Sequence, residues 1–257
     1  MGWLGKIIGG TLGLALGGPL GMVAGIVFGT LFDKADTLKT QTSGKSRSSL
    51  DSLEQSQMLF FVGTFSLLAK MAMADGRLLR QEKEKVEQFI TQQLRLDEKS
   101  KEVAMRIFLT ALSDSNSFEQ YAKQVYEHFS NDRELLELIL DVLVAVAASD
   151  GSIVQSEEVL IQAAARIFTI SEAQLNTIKR KYGFSTIPST KAYATLGITT
   201  GATAEEIKKA YRKKSQEFHP DTIASKGLPE EFTLFATEKF QEIQQAYETL
   251  KKEHTIR

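Results

Sequence analysis

The chain has 257 residues, of which 42% are hydrophobic and 25% are charged, a composition typical of a protein with a buried core. Its formal net charge of −1 argues against a nucleic-acid-binding protein, because no broad electropositive field is available. The absence of cysteine excludes disulfide bonds, thiol catalysis and zinc–cysteine sites, and it is compatible with a reducing cytoplasm. No catalytic constellation occurs and no two of the three histidines have zinc-ligand spacing, so the sequence favours a binding protein over an enzyme.

The N-terminal segment is the most apolar part of the chain. Residues Ile7–Phe32 carry no charge over 26 positions. As a helix this stretch would extend about 39 Å, enough to cross a hydrocarbon core of about 30 Å. The sequence therefore predicts a transmembrane anchor within residues 1–32. A cleaved signal peptide is the alternative, but the stretch exceeds the usual apolar region of roughly 7–15 residues and no convincing cleavage site follows.

Glycines recur at every fourth position of this segment and would form a smooth groove along one helix face. Such a groove lets a second helix approach closely within a membrane. In water each glycine would cost about 1 kcal/mol relative to alanine, so the helix would hardly form. We predict that this face mediates homodimerisation through Gly9, Gly13, Gly17, Gly21, Gly25 and Gly29.

Flanking charges predict the orientation of the anchor. Lys6 alone precedes it, whereas Lys34, Lys39, Lys45 and Arg47 follow it. The positive-inside rule then leaves a short N-terminus in the periplasm and the bulk of the chain in the cytoplasm, as a single-pass protein of the bacterial inner membrane. Residues 33–55, rich in Ser, Thr, Lys and Gly, predict a flexible linker.

Residues 56–183 have a helical pattern throughout and contain an internal sequence repeat. Asp75-Gly76 with Glu82 recurs 75 residues later as Asp150-Gly151 with Glu157, and each pair follows an apolar helical stretch. The sequence therefore predicts an all-α chain whose middle domain has two related helical halves. This layout resembles the TerB-like domain, a helical module named for tellurite-resistance proteins.

The repeated acidic positions have two interpretations. Some TerB-like domains are associated with metal binding, and the two halves could bring four carboxylates together around a divalent cation. Alternatively, the aspartates make Asx turns, the glycines adopt positive φ, and the glutamates lie near helix starts. In the first interpretation the cofactor is a divalent metal, and its predicted ligands are Asp75, Glu82, Asp150 and Glu157.

The C-terminal segment, residues 188–257, contains the tripeptide His219-Pro220-Asp221. The capping-box pair Thr203 and Glu206 predicts the start of a helix that runs to about Phe218. Pro220 cannot continue that helix, and a second apolar pattern extends over residues 234–252. The segment is therefore expected to form an antiparallel helical hairpin with the tripeptide in the loop. In this frame it resembles the J domain of Hsp70 co-chaperones.

The resemblance implies a partner and a set of contacts. A basic helix of the family docks on an acidic surface of Hsp70, and the tripeptide is required for stimulation of ATP hydrolysis. Asp221 would act through polar contacts rather than as a base, because the chemistry belongs to the partner. Carried over by position, the Hsp70-binding residues are Lys208, Tyr211, Arg212, Lys213, His219, Pro220 and Asp221.

Two departures from the J-domain pattern are present. Lys214 stands where the family commonly has a leucine, so either its stem covers apolar surface while the ammonium reaches water or the hairpin is less stable. The insert over residues 222–233 is longer than in the simplest J domains and resembles that of the DjlA-type membrane-anchored co-chaperones. The order of anchor, TerB-like domain and J domain resembles the same family.

The leading interpretation is a membrane-anchored co-chaperone, without enzymatic activity, for an Hsp70 of the DnaK type. Its middle domain would select an unknown client or sense a signal. The alternative is a metal-binding sensor or adaptor of envelope stress that uses the TerB-like domain.

Overall fold

The computed structural model describes residues 17–36, 52–76, 80–182 and 188–254, with the backbone alone for 30–36 and 188–190. The described residues form twelve α-helices and no β-strand, so the predicted all-α fold is confirmed. The helices are α1 (Gly18–Asp36), α2 (Ser52–Met71), α3 (Arg80–Gln88), α4 (Glu98–Ser113), α5 (Phe118–Phe129), α6 (Arg133–Ala147), α7 (Gln155–Ile167), α8 (Glu172–Lys181), α9 (Pro188–Leu196), α10 (Ala204–Glu217), α11 (Pro220–Ser225) and α12 (Thr233–Glu253). A π-helical turn (Phe89–Gln93) follows α3, and a 3₁₀ turn (Glu230–Phe232) precedes α12.

Two helices form the centre of the middle domain. In α2 every residue from Met58 to Ala69 is buried, and in α6 every residue from Leu135 to Ala147 is buried. Helices that are apolar on all sides are expected to lie inside a bundle, and α2 contacts α4, α5 and α6. Gly63 allows the close approach to α5, because a Cβ at this position would lie 2.7 Å from Val125 Cγ2.

The internal sequence repeat corresponds to two turns of the same conformation. α2 ends in a turn at Gly76 and α6 ends in a turn at Gly151, with φ of 79° and 90° respectively. The Gly76 amide donates to Met73 O over 2.8 Å, and the Gly151 amide donates to Ala148 O over 3.0 Å. Both glycines therefore occupy the left-handed conformation that the sequence predicts, each between an apolar helix and a charged one.

The described part of the N-terminal segment packs on the middle domain. Leu20, Val23, Val27 and Phe28 of α1 are fully buried, and the Leu20 amide donates to Gln124 Oε1 over 2.8 Å. Among the described residues, no helix combines the length and the apolarity needed to cross a bilayer. Residues 7–16 of the predicted span and residues 37–51 of the predicted linker lie outside the described residues.

The C-terminal segment is built around the predicted helical hairpin. α10 packs against α12, and the rings of Tyr211 and Tyr247 stack at 4.1 Å between centroids with an interplanar angle of 8°. Ile207 of α10 and Ile243 of α12 are buried beside them, and α9 covers α12 near its end. The packing follows the apolar periodicity of the two helices.

The insert between the hairpin helices attaches this segment to the middle domain. Phe232 is fully buried, and its ring lies 4.9 Å from that of Phe60 and 6.1 Å from those of Phe61 and Phe65. Gln57 Nε2 donates to Leu228 O over 3.4 Å. The extra length of the insert therefore places an aromatic anchor in the core of the neighbouring domain, beside α2.

Candidate partner-binding surface

The tripeptide lies at the start of a short helix rather than in an irregular loop. His219 is the N-cap of α11, with φ −61° and ψ 132°, and Pro220 is the first helical residue. Proline suits this position because its missing N–H would have no intrahelical partner. Asp221 follows in the first turn, where a carboxylate complements the helix dipole. The predicted loop is thus replaced by the start of a short helix.

The side chains of the tripeptide are held in place and remain accessible. His219 Nδ1 accepts a hydrogen bond from the Asp221 amide over 3.3 Å, and the imidazole packs edge-on against the Phe240 ring at 5.4 Å. The His219 side chain is 49% exposed and the Asp221 side chain 95% exposed. A partner can therefore reach both polar groups without any rearrangement of the backbone.

The basic helix α10 leads directly to this tip. Its start is fixed by the predicted capping box, in which the Thr203 amide donates to Glu206 Oε2 over 2.7 Å and the Glu206 amide donates to Thr203 Oγ1 over 3.3 Å. Arg212 and Lys213 are exposed. Lys208 and Tyr211 are half-buried, so the structure places the predicted contacts on one helix and the tip that follows it.

Lys214 behaves differently from the expectation that its ammonium reaches water. Its Nζ lies 2.7 Å from Glu137 Oε1 on α6 and 4.9 Å from the centroid of the Phe218 ring. The stem covers apolar surface as expected, but the charge is directed into the domain interface. The direction of the charge depends on Glu137 of α6, and the position of α6 cannot be inferred from the sequence pattern of the hairpin.

The interface contains a buried charge network that sequence reasoning missed. Asp141 of α6 is fully buried and accepts from Lys239 Nζ over 2.6 Å and from Tyr182 Oη over 2.6 Å, with Lys181 Nζ at 3.3 Å. Burial favours the neutral carboxyl, but Lys181, Lys239 and Tyr182 outweigh it and hold the pKa of Asp141 well below its usual range.

Two further carboxylates of α6, those of Glu137 and Glu134, extend this network through ion pairs with Lys214 and Lys226, respectively. Burial raises the pKa of Glu137, but Lys239 and Lys214 outweigh it and lower the pKa below its ordinary value. Glu134 lies 2.6 Å from Lys226 of the insert. A signal for the network exists in the sequence, because Glu137 and Asp141 are one helical turn apart and are the only charged residues in Leu135–Ala147.

Comparison with known proteins assigns a family to each part of the chain. Residues 1–48 match the co-chaperone DjlA transmembrane domain, residues 62–180 match the tellurite resistance protein TerB, and residues 191–257 match the DnaJ domain. The match to the transmembrane domain supports a membrane-anchored protein. The domain boundaries predicted from the sequence stay predictions.

Whole-chain relatives agree with this order of domains. The co-chaperone protein DjlA of Photobacterium profundum is 32% identical over 272 residues, covering 97% of this chain and 98% of the relative. That of Coxiella burnetii is 30% identical over 269 residues, with 98% of each chain covered.

The chain belongs to the DjlA co-chaperone family. Its similarity to DjlA of Escherichia coli is 29% identity over 250 residues, covering 89% of each chain. No solved structure matches the chain. Members of the DjlA family are named co-chaperones, which regulate a partner rather than catalyse a reaction, and this agrees with the expectation of a non-enzymatic protein.

The acidic positions of the TerB-like domain converge on a lysine. Lys85 Nζ lies 3.1 Å from Glu82, 3.2 Å from Asp150 and 3.5 Å from Glu157, and Asp75 forms no ion pair with any described residue. The described residues contain no group of three or more His, Asp or Glu side chains that could hold a metal ion. Three of the four predicted ligands thus lie around an ammonium group in this structure, and the divalent-metal site stays a prediction.

The glycine face of the DjlA-type anchor is described only in part. Gly25 and Gly29 are exposed, and a Cβ added at either would meet no described atom within 4 Å. Gly17 is exposed and Gly21 half-buried, whereas Gly9 and Gly13 lie outside the described residues. Gly25 and Gly29 thus face away from the helix surface that packs on the middle domain.

Proposed function

We propose that the chain recruits an Hsp70 of the DnaK type and stimulates its ATP hydrolysis at the cytoplasmic face of the bacterial inner membrane. The observation that carries the proposal is the exposed His219-Pro220-Asp221 tip, held at the start of α11 beside a helix with exposed cations. The chain contributes recognition and positioning, and the hydrolysis takes place in the partner.

Each part of this surface has a distinct role in the proposal. Arg212 and Lys213 attract an acidic surface of the Hsp70, and their exposure makes this attraction dependent on ionic strength. Tyr211 is held by its stack on Tyr247 and offers its remaining half-exposed surface to the partner. The hydrogen bond from the Asp221 amide to His219 fixes the tip, so that little ordering is required on binding.

The decisive experiment measures ATP hydrolysis by a purified DnaK-type Hsp70 in the presence of the full chain in lipid nanodiscs. The wild type is expected to stimulate hydrolysis, and His219→Gln is expected to abolish the stimulation. His128→Gln is the matched control, because His128 is an exposed helical histidine far along the chain from the tip. Equal stimulation by the two variants, or none by the wild type, would contradict the proposal.

For the membrane part of the proposal, the apolar segment leaves the middle domain, on which α1 packs in the structure, and crosses the inner membrane with its N-terminus in the periplasm. The match of residues 1–48 to a transmembrane domain and the lysines and arginine after the span support it. Protease added to inverted inner-membrane vesicles is expected to digest the TerB-like and J domains. Protection of these domains in inverted vesicles would indicate the opposite orientation and contradict this part of the proposal.

The last part of the proposal is that two anchors associate through their glycine face. The exposure of Gly25 and Gly29 supports it, since close helix contact needs small side chains. Gly25→Ile with Gly29→Ile is expected to abolish disulfide crosslinking between anchors that carry an introduced cysteine. Met22→Ile is the control on the same helix, and equal crosslinking in all three proteins would contradict association through the glycine face.

A further inference from the structure

A cleft lies between the TerB-like domain and the basic helix of the J domain. Its volume is about 630 Å³, and α8 and the start of α6 form one wall while α10 and the turn before it form the other. Lys213 belongs both to this cleft and to the surface proposed to bind Hsp70. Whatever occupies the cleft is therefore adjacent to the proposed partner.

The carboxylates that line the cleft already have partners. Glu137 pairs with Lys214 at 2.7 Å, and Glu134 pairs with Lys226 at 2.6 Å. Glu206 accepts from the Thr203 amide in the capping box, and Glu217 lies 3.8 Å from Lys213 on the same helix. Three of these four carboxylates are thus paired with lysines, whereas Glu206 has only neutral partners among the described residues.

Three cations of the cleft have no carboxylate partner among the described residues. Arg180 Nε donates to Asn176 O over 3.2 Å, and Arg133 donates to Gln174 Oε1 over 2.7 Å and to Thr169 O over 3.4 Å. These acceptors are neutral, and Lys209 forms no ion pair with a described carboxylate. The cleft therefore presents unneutralised positive charge from both domains, in a chain whose net charge is −1.

We propose that an acidic polypeptide segment of the Hsp70 binds in this cleft, so that Arg133 and Arg180 of the TerB-like domain extend the J-domain contact surface. The inference rests on the proposed function and adds a second domain to the recognition of the partner. A protein segment is favoured over nucleic acid because the positive charge is confined to one cleft and no broad basic field surrounds it. Its position next to Lys213 connects it with the Hsp70 surface.

The structure offers a matched pair of variants for the test. Arg180 and Arg166 both lie in the last turn of a helix, and each donates from Nε to the carbonyl four residues earlier, over 3.2 and 3.3 Å. Only Arg180 lines the cleft. Arg180→Glu and Arg166→Glu therefore change the net charge and the helix dipole equally and differ in location.

The experiment titrates the full chain in nanodiscs against a purified DnaK-type Hsp70 and follows ATP hydrolysis. Arg180→Glu is expected to raise the concentration for half-maximal stimulation about fivefold to tenfold, with the maximal rate unchanged, because it reverses a charge at the rim of the contact. Arg166→Glu is expected to stay within about twofold of the wild type, since its charge lies elsewhere. Arg133→Gln gives a second test with a smaller shift in the same direction.

The outcomes separate this inference from the proposed function. If the wild type stimulates hydrolysis and Arg180→Glu and Arg166→Glu have equal half-maximal concentrations, binding of the Hsp70 in the cleft is contradicted. The proposed role of the His219-Pro220-Asp221 tip would be unaffected by that result. A reduced maximal rate at an unchanged half-maximal concentration would also contradict binding in the cleft, because a binding contact acts on affinity. No stimulation by the wild type would overturn both.

Discussion

Two lysine–carboxylate clusters of this molecule differ in their charge balance. At the domain interface, Lys181, Lys239 and the Tyr182 hydroxyl surround Asp141, and the two lysines also lie 3.0 Å from Glu242 and 4.0 Å from Glu137, respectively. Within the TerB-like domain, the single ammonium of Lys85 faces three carboxylates. With Lys214, the first cluster has three ammonium groups for three carboxylates, whereas the second has a surplus of negative charge.

The difference appears in the ionisation of the buried carboxyls. The pKa of Asp141 is lowered because its cations and hydrogen bonds outweigh burial. The pKa of Glu157 is raised because burial, with Glu82 nearby, outweighs the Val154 amide and Lys85. The interface cluster thus holds a stable charge at neutral pH, whereas the cluster around Lys85 has one carboxylate that is costly to ionise. The four predictions that follow test this contrast.

The largest effect is expected for Asp141→Asn. The change leaves buried Lys239 with only the more distant Glu137 carboxylate, 4.0 Å away, and removal of one partner of a buried ion pair costs about 3–5 kcal/mol. Urea unfolding should show a loss of unfolding free energy of this size. Asp221→Asn is the control, because its side chain is 95% exposed and should leave stability unchanged while reducing Hsp70 stimulation. A similar stability for the two variants would contradict a structural role for the network.

Acid should weaken the protein through the same carboxylates. The folded-state pKa values of Asp141 and Glu137 are lowered, so their contribution is present above the unfolded pKa of about 4 and is lost as pH falls through the folded values. A contribution on the order of 2 kcal/mol should disappear between about pH 5 and pH 2. Urea titrations at several pH values should give a shallower acid dependence for Asp141→Asn, and parallel curves would contradict the assignment.

Lys239→Met should cost less than the loss of its carboxylate partner. Asp141 keeps Lys181 and Tyr182, Glu137 keeps Lys214, and the methionine stem still covers the Phe218 ring. The expected loss of unfolding free energy is about 1–2 kcal/mol. Lys251→Met, which alters an exposed i,i+3 pair at 3.9 Å, should change stability by less than about 0.5 kcal/mol. A loss as large as that of Asp141→Asn would show that the donors are not redundant.

Local features of the fold and the site could be predicted from the sequence. Helical periodicity predicts the packing of the hairpin, and the Thr203 capping box predicts the start of α10. The two Asp-Gly pairs predict the turns with positive φ. Each of these depends on residues within a few positions of one another. The tripeptide's place between the hairpin helices followed from the same signals.

The contacts between domains could not be predicted in this way. Lys214 meets Glu137 across 77 residues of sequence, and Lys239 meets Asp141 across 98 residues. A helical period shows which face is apolar but not which neighbour covers it. The convergence of Glu82, Asp150 and Glu157 was predicted from the repeat, yet Lys85, only one turn beyond Glu82, was overlooked as the cation they surround.

The smallest effect, and the one of opposite sign, is expected for Glu157→Gln. The amide oxygen still accepts from the Val154 amide, now 3.1 Å from Glu157 Oε2, while one of three negative charges around Lys85 is removed. Because the folded-state pKa of Glu157 is raised, its ionisation opposes folding as pH rises through that value. At pH 7 the variant should be as stable as the wild type or more stable by up to about 1 kcal/mol, and the gain should vanish in acid. Glu82→Gln removes the carboxylate 3.1 Å from Lys85 and should instead destabilise. If Glu157→Gln were as damaging as Asp141→Asn, the surplus of negative charge would not govern this cluster.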